Sequence, residues 1–233
     1  YLNGTLKGEI MQLTILIPAL NEEETIPIVI KKGLNFLKEH NIDGEVLVIN
    51  NSSTDNTKEV AMQNGARVED EEKKGYGSAL ISGINKAKGE FIIMGDADDS
   101  YNFSEIEGFY DGLKEGYDLV IGNRFYHMEK GAMKFTHRYI GTPMLNLLIR
   151  LKYKTKIKDI NCGLRGLRRE SFVNLGLQCS GMEFASEMVI KAIKNNLKIK
   201  QIDINFYRDA RNKKGHLNAI RDGLRHVKVI LKG

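Results

Sequence analysis

The sequence predicts an α/β fold in which a mostly parallel central sheet is covered by helices. Three observations support this prediction: short apolar runs, helix-like segments between them, and a polar or glycine-bearing loop after most of the runs. Strands buried on both faces of a parallel sheet are continuous apolar runs, and parallel strands need long crossover connections. Ligands of such sheets bind beyond the carboxyl ends of the strands, so these loops predict one shared site.

The first half of the chain alternates strand and helix. Apolar runs predict strands at residues 13–17, 45–49, 67–68, 91–94 and 118–121. Helices are predicted at residues 21–40, 57–65 and 109–115, and a further helix begins near Gly75. The first of these helices opens with three glutamates, which suit the positive end of a helix dipole.

The pattern weakens after Gly122. Residues 142–153 are apolar almost all round, residues 183–196 have an amphipathic helical pattern, and residues 199–206 alternate as in a strand. We expect residues 11–216 to form one domain, followed by a basic, membrane-proximal helix at residues 217–233. Residues 1–10 lack the apolar core of a signal peptide, so we interpret them as a native leader or a cloning remnant.

Composition narrows the function classes. The two cysteines form no Cys-x-x-Cys motif, which argues against a structural zinc site and favours a reducing, cytoplasmic setting. No run reaches the roughly 18 apolar residues of a membrane span. The formal net charge is +5, but residues 124–158 contain nine Lys or Arg and one acid. This basic segment indicates a phosphate-bearing partner or an anionic membrane surface, with a merely solvated basic surface as the alternative.

An acidic cluster follows the strand at residues 91–94. Asp96, Asp98 and Asp99 come directly after its last apolar residues and Gly95. Carboxylate oxygens suit hard cations such as Mg²⁺ or Mn²⁺, which share their remaining positions with phosphates. A solvated turn is the alternative, but the position at the end of a parallel strand favours the cation.

The segment Gly75-x-Gly77 contains two closely spaced glycines at the start of a helix. It is not a dinucleotide fingerprint, because Leu80 occupies the third glycine position and no strand precedes it directly. We interpret it as a helix start at which the backbone approaches a ligand, with ordinary turn chemistry as the alternative.

Several motifs follow one another in a recognisable order. They are PALNEE at 18–23, NSSTD at 51–55, GYG at 75–77, DAD at 96–98, GNRF at 122–125, HRY at 137–139, CGLR at 162–165, MEF at 182–184 and RDG at 221–223. Over about residues 11–231, this order resembles glycosyltransferase family 2, which has the nucleotide-binding GT-A fold. The later motifs are similar to the branch that includes dolichyl-phosphate mannose synthases and bacterial polyprenyl-phosphate (undecaprenyl) relatives.

The resemblance implies an inverting, metal-dependent transfer from a nucleotide-sugar donor to an acceptor such as a polyprenyl phosphate, by an enzyme at the cytoplasmic face of the membrane. It implies that the nucleotide-sugar is bound by Pro18, Ala19, Asn21, Glu22, Asn50, Asp55, Gly77, Asp96 and Ala97. It implies that Asp96 and Asp98 hold the metal, and that Arg124 and Arg138 meet the acceptor phosphate. It also implies that a basic run closes over the phosphates: Arg208, Arg211, Lys213, Lys214 and His216.

Two positions depart from the family pattern. Relatives commonly have Asp where this chain has Asn50, at the position that reads the base, and an amide oxygen can still accept a hydrogen bond there. Dolichyl-type relatives often have Gln at the position of Ser100. We therefore leave the base preference and the third contact on the metal side open.

The acceptor decides which residues carry the chemistry. An ionised lipid phosphate requires no strong general base, whereas a saccharide hydroxyl requires a carboxylate, for which Asp159 and Glu183 are the candidates. Glu183 is equally interpreted as an acid at a helix start. Arg165 and Arg168 are more simply explained as members of structural salt bridges, and Cys162 as a packed thiol.

Two further questions stay open at this level. The helix at Thr142–Tyr153 and the lysines after it fit either a bilayer surface or a core helix with a basic loop. A non-catalytic module that binds nucleotides or anionic lipids is the alternative from a different class. Nucleic-acid binding is disfavoured, because the basic residues lack interleaved aromatic side chains.

Overall fold

The computed structural model describes residues 11–211 and 219–233. In this part of the chain, a seven-stranded sheet has the order β3-β2-β1-β4-β6-β5-β7. Its strands are β1 (Leu13–Ala19), β2 (Gly44–Asn50), β3 (Arg67–Asp70), β4 (Phe91–Met94), β5 (Leu119–Met128), β6 (Arg165–Arg168) and β7 (Ile199–Phe206). The pairings are parallel except those of β6, which runs antiparallel to both β4 and β5.

Helices cover this sheet. They are α1 (Ile26–Glu39), α2 (Thr57–Gln63), α3 (Tyr76–Lys86), α4 (Glu107–Lys114), α5 (Thr142–Tyr153), α6 (Arg169–Val173), α7 (Phe184–Lys194) and α8 (Ala219–Lys232). A short 3₁₀ turn at Phe103–Glu105 precedes α4, and a π-helical turn at His137–Gly141 precedes α5. The predicted α/β class with a mostly parallel sheet is confirmed.

The strands predicted from apolar runs are all present, but the structure adds one. The segment Arg165–Arg168 pairs between β4 and β5, although its sequence RGLR has no apolar run. Arg165 is nevertheless buried at 2% exposure, and its guanidinium donates to the carbonyl oxygens of Cys162, Ala185 and Ile160. It is a structural residue, but it binds backbone rather than the carboxylate of a salt bridge.

The first predicted helix begins later than expected. Residues 21–25 form turns, and the helix begins at Ile26 with Pro27 in its first turn, where proline is tolerated. The chain therefore leaves β1 through a polar loop rather than directly into a helix. This loop is what brings residues 21–23 against the loop that follows β2.

The C-terminal helix packs against the rest of the fold. Lys152 of α5 donates to the carbonyl oxygen of Ile230 at 2.9 Å, and the Tyr153 hydroxyl donates to the same oxygen at 3.0 Å. The buried His226 ring contacts the Ser186 hydroxyl of α7 at 2.8 Å. Among the described residues, no helix is both long and apolar enough to cross a bilayer.

Candidate active site

The predicted loops meet at one edge of the sheet. Strand register aligns Ala19 of β1 with Asn50 of β2, and Asn50 with Asp70 of β3. These residues end their strands on the same side, as the parallel pattern predicts. The acidic loop follows the neighbouring strand β4, whose Met94 is aligned with Leu16.

The loops after β1 and β2 are joined by hydrogen bonds. The backbone N–H of Asn21 donates to the Ser53 hydroxyl at 3.0 Å, and its side-chain oxygen accepts from the Thr54 N–H at 2.7 Å. The N–H of Glu22 donates to the Thr57 hydroxyl at 2.7 Å, and Thr57 donates in turn to Asp55. Asn21 and Asp55 therefore shape the wall of the site through protein contacts.

The acidic loop has three carboxylates in three different environments. Asp96 is half-buried and accepts a hydrogen bond from the Tyr76 hydroxyl at 2.8 Å. Burial, together with the charge of Asp98, raises the pKa of Asp96 to about 7. Asp98 accepts from the hydroxyl and the N–H of Ser100, so Ser100 orients this carboxylate.

Asp99 faces away from that pair. Its two carboxylate oxygens accept from the ammonium group of Lys32 on α1, at 2.7 and 2.9 Å. Its backbone has φ +60°, in the left-handed region, which turns its side chain out of line with its neighbours. Asp99 is thus an anchor between the acidic loop and α1.

Arg211 brings a positive charge to the acids. Its guanidinium donates to Glu22 at 2.8 Å and to Asp98 at 3.0 Å, and it also pairs with Asp209. Burial alone lowers its pKa, but the bond to Asp209 and the charges of Asp98 and Glu22 raise the pKa of Arg211 above its ordinary value. The backbone N–H of Ala210 donates to the carbonyl oxygen of Asp98 at 2.9 Å, which holds this segment in place.

Asp96 and Asp98 are the predicted metal ligands. No group of three or more His, Cys, Asp or Glu in the described ranges is arranged to hold a metal ion. Two hard carboxylates nevertheless fit Mg²⁺ or Mn²⁺, which often bind one or two carboxylates and complete their shell with phosphate and water. The donor set therefore fits a metal that arrives with a diphosphate.

Gly77 lies against the protein's own backbone. A Cβ at this position would be 2.1 Å from the carbonyl oxygen of Cys179 and 2.8 Å from the Cβ of Phe184. The packing of α3 on the loop before α7 is enough to require glycine at this position, and the contact of Gly77 with a ligand stays a prediction. Gly75 meets the same loop, since its Cβ would lie 2.2 Å from the Ser180 carbonyl oxygen.

Other predicted nucleotide-site residues lie in various surroundings. Pro18 and Ala19 are buried in β1, and Ala97 is buried at 3% exposure in the acidic loop. Arg208 turns to Glu129 and to the carbonyl oxygen of Lys130. Lys213, Lys214 and His216 lie outside the described residues.

A buried ion pair joins two residues that were predicted to act on the acceptor. Arg124 donates to both oxygens of Asp159, at 2.7 and 2.9 Å, and Asp159 is fully buried. Arg124 was expected to meet the acceptor phosphate and Asp159 was a candidate base, but each neutralises the other. Arg138 is half-buried in the π-helical turn, lies 5.3 Å from the Tyr139 ring, and has no ion pair within the described ranges.

Glu183 is the second candidate base. It immediately precedes α7 and is 8% exposed, and its Oε2 atom has no hydrogen-bond partner among the described residues. Arg168, in contrast, pairs with Glu90 at 2.6 Å, as expected for a structural salt bridge. Burial raises the pKa of the Cys162 thiol to about 12, consistent with a packed thiol rather than a nucleophile.

Sequence reasoning missed Tyr76 and Lys32. Tyr76 lies between the two glycines, and its ring carries the hydroxyl to Asp96. Lys32 is 67 residues from Asp99 along the chain, and no local pattern indicates their pairing. A carboxylate that is shielded from water needs a hydrogen-bond donor. The tyrosine between the two glycines was the signal in the sequence for such a donor to Asp96.

Comparisons with known proteins agree on one family. The family model described as "Glycosyl transferase family 2" matches residues 14–176. The hexosyltransferase Agl6 of low-salt glycan biosynthesis in Haloferax volcanii is 34% identical over 94% of this chain, which spans 53% of that protein. The glycosyltransferase AglJ of the same organism is 32% identical over 90% of this chain and 67% of its own length.

A more distant relative and a solved structure complete the picture. The undecaprenyl-phosphate 4-deoxy-4-formamido-L-arabinose transferase of Proteus mirabilis is 28% identical over 73% of this chain and 53% of its own length. Glucosyl-3-phosphoglycerate synthase from Mycobacterium tuberculosis, solved with Mn²⁺, UDP-glucose and phosphoglyceric acid, has a TM-score of 0.74 at 21% identity. The matched region covers 95% of this chain and 79% of the synthase chain, and the likeness shows a shared fold.

Proposed function

The chain belongs to glycosyltransferase family 2, and from that premise we propose that it is an inverting, metal-dependent glycosyltransferase. It transfers a sugar from a nucleotide diphosphate donor to a polyprenyl phosphate at the cytoplasmic face of a membrane. The observation that carries the proposal is the pair Asp96 and Asp98 at the end of β4, facing the interlocked loops after β1 and β2.

The proposed role of the acidic loop toward the sugar donor follows from its negative charge. Asp96 and Asp98 would hold the metal, and a bound divalent cation would neutralise charge that develops on the leaving diphosphate. Tyr76 orients Asp96, and Ser100 orients Asp98, so that both carboxylates are held before a ligand arrives.

Arg211 already lies beside these acids. Its guanidinium fork pairs with Glu22 and Asp98, and guanidinium groups also bind phosphates in a bidentate manner. We infer that Arg211 exchanges carboxylate for phosphate contacts when the donor binds. It then contributes a second positive charge to the leaving group.

The acceptor chemistry needs no dedicated base if the acceptor is a phosphate. A phosphate oxygen is ionised at neutral pH, so positioning and charge neutralisation suffice. Arg138 supplies a cation without an acidic partner in the described ranges, whereas Arg124 is held by Asp159. Arg138 is therefore our candidate for the acceptor phosphate, and Arg124 a structural residue of the acceptor side.

An exposed apolar surface supports membrane contact. It is formed by Phe135, Tyr139, Ile140, Met144, Leu147 and Leu151, each at least half exposed. Met144, Leu147 and Leu151 share one face of α5, whereas Leu145 and Ile149 on the other face are buried in the core. Arg150 and Lys154 lie close to these residues in the sequence, so α5 serves as a core helix and offers a basic, apolar face to an anionic bilayer.

Transfer to a saccharide hydroxyl is the second candidate. The buried Oε2 atom of Glu183, without a hydrogen-bond partner among the described residues, favours it, because a base must be free to take a proton. This alternative predicts that Glu183→Gln abolishes turnover while donor binding is retained. The polyprenyl-phosphate proposal predicts that Glu183→Gln keeps most of the turnover.

The metal site has a matched pair of test variants. Asp98→Asn removes a proposed ligand, and Asp99→Asn makes the same chemical change at the neighbouring residue that pairs with Lys32. Calorimetry with Mn²⁺ and nucleoside diphosphates should show a loss of more than about 100-fold in affinity for Asp98→Asn, since even outer-shell partners of metals cost 10- to 100-fold. Equal losses in both variants would contradict the assignment, and Mn²⁺-dependent binding without transfer or donor hydrolysis would indicate a non-catalytic module.

A further inference from the structure

The two asparagines that end and follow β2 already use their side chains. Asn50 accepts from the Ser53 N–H at 3.2 Å and donates to Asp70 at 2.9 Å, and it is 9% exposed. Asn51 donates to the carbonyl oxygens of Glu71 and Lys73 and accepts from the Gly75 N–H. Neither amide is therefore well placed to read a nucleobase, although Asn50 stands at the position where the family resemblance assigns that task.

A carboxylate stands next to Asn50 on the adjacent strand. Asp70 ends β3 in register with Asn50, which in turn is in register with Ala19. Its side chain is 52% exposed, so it is accessible to a ligand at the carboxyl edge. Two donors fix its orientation: Asn50 on Oδ1 and Lys58 on Oδ2.

Donors from the described residues leave part of the hydrogen-bonding capacity of the Asp70 carboxylate unused. Two carboxylate oxygens offer about four lone-pair positions, and Asn50 and Lys58 occupy two of them. The bond from Lys58, followed by that from Asn50, lowers the pKa of Asp70, so the group is ionised at neutral pH. An ionised carboxylate accepts hydrogen bonds and donates none.

We propose that Asp70, positioned by Asn50, is the residue that selects the nucleobase of the donor, and that it favours bases with a ring N–H on their pairing edge, guanine or uracil. This inference rests on the proposed function. Guanine presents an N–H and an amino group side by side, and uracil presents one N–H, all of which can donate to a carboxylate. Adenine and cytosine present a ring nitrogen lone pair at that point, which a carboxylate repels.

The test compares nucleoside diphosphates that differ in their base and share the same diphosphate. Calorimetry with Mn²⁺ measures the affinities of GDP, UDP, ADP and CDP for the whole chain, for Asp70→Asn and for Glu69→Gln. Glu69 is the matched control, because it is the preceding residue of β3 and pairs with Arg67 and Lys86 instead. We expect the wild type to prefer GDP or UDP, and Asp70→Asn to lose about tenfold or more of that preference while Glu69→Gln keeps it.

Inorganic diphosphate distinguishes base reading from general charge effects. Asp70→Asn should bind it with wild-type affinity, and Asn50→Ala should lose part of the base preference because it leaves Asp70 less well oriented. An unchanged preference in Asp70→Asn, or equal weakening of all four nucleotides, would overturn the inference while leaving the proposed function standing. A wild type that binds diphosphate and no nucleotide would overturn both.

Discussion

The buried pair of Arg124 and Asp159 gives a prediction of defined size. Asp159→Asn removes one charge of a pair in which Asp159 is fully buried and Arg124 is 9% exposed. Three donor groups of Arg124 currently face Asp159: the backbone N–H at 3.2 Å, and two guanidinium groups at 2.7 and 2.9 Å. The variant leaves the guanidinium buried with a neutral partner.

Removing one partner of a buried pair typically costs about 3–5 kcal/mol. For a chain of this size, each kcal/mol shifts Tm by about 2–4 °C, so Tm should fall by roughly 6–20 °C. Differential scanning fluorimetry measures the change. Asp43→Asn is the matched control, because Asp43 is exposed and surface substitutions usually stay within about 0.5 kcal/mol.

A double variant separates the pair from a catalytic role. Arg124→Met combined with Asp159→Asn should be less destabilised than the sum of the two single variants, because no charge is then left unpaired. An Asp159→Asn variant that keeps its Tm within about 2 °C and loses turnover would refute this reasoning. It would return Asp159 to the role of general base.

Three further predictions concern packing, pH and membranes. Gly77→Ala places a methyl group 2.1 Å from the Cys179 carbonyl oxygen, so it should lower the free energy of unfolding in urea by about 1–3 kcal/mol. Gly223→Ala is the control: a methyl group there meets nothing within 4 Å and should stabilise its helix slightly, so equal effects of the two variants would contradict the packing of Gly77. Burial, followed by the charge of Arg165, lowers the pKa of His226 to about 4, below the 6.5 of an ordinary histidine. As pH falls below about 6.5 the unfolded state binds the proton first, so about 3 kcal/mol of stability should be lost by pH 4, and urea unfolding of a His226→Asn variant should lack that component. Leu147→Glu should weaken sedimentation with vesicles that contain anionic lipid, since Leu147 is 53% exposed on α5, whereas Met62→Glu on α2 should not; equal binding by both variants would argue against the surface.

The sequence predicted the elements that carry local signals. Apolar runs identified β1, β2, β4 and β5, because strands buried on both faces need apolar side chains at consecutive positions. The strand β6 escaped prediction because its arginines bind carbonyl oxygens far along the chain: Arg165 binds that of Ala185, and Arg168 binds that of Leu113. In a sequence, a buried arginine such as Arg165 cannot be distinguished from an exposed one, because its hydrogen-bond partners are not known.

The sequence predicted where the candidate site lies, but it did not predict most of the contacts between its residues. The order of loops at one sheet edge indicated where Asp96 and Asp98 would lie. The pairing of Asp99 with Lys32, like that of Arg124 with Asp159, joins residues 67 and 35 positions apart, and such pairs depend on the three-dimensional fold. Similarly, no local pattern in the sequence indicates a partner for the Asn50 amide, whereas register with β3 supplies it with Asp70.

The most direct test of the central claim is a transfer assay with radiolabelled nucleotide-sugars, Mn²⁺ and polyprenyl phosphate. We expect a lipid-linked sugar with inverted anomeric configuration from at least one donor. This product should be lost in Asp98→Asn and retained in Asp99→Asn. Absence of lipid-linked product with every common donor would contradict the proposed transfer, and undiminished product from Asp98→Asn would contradict the proposed metal site.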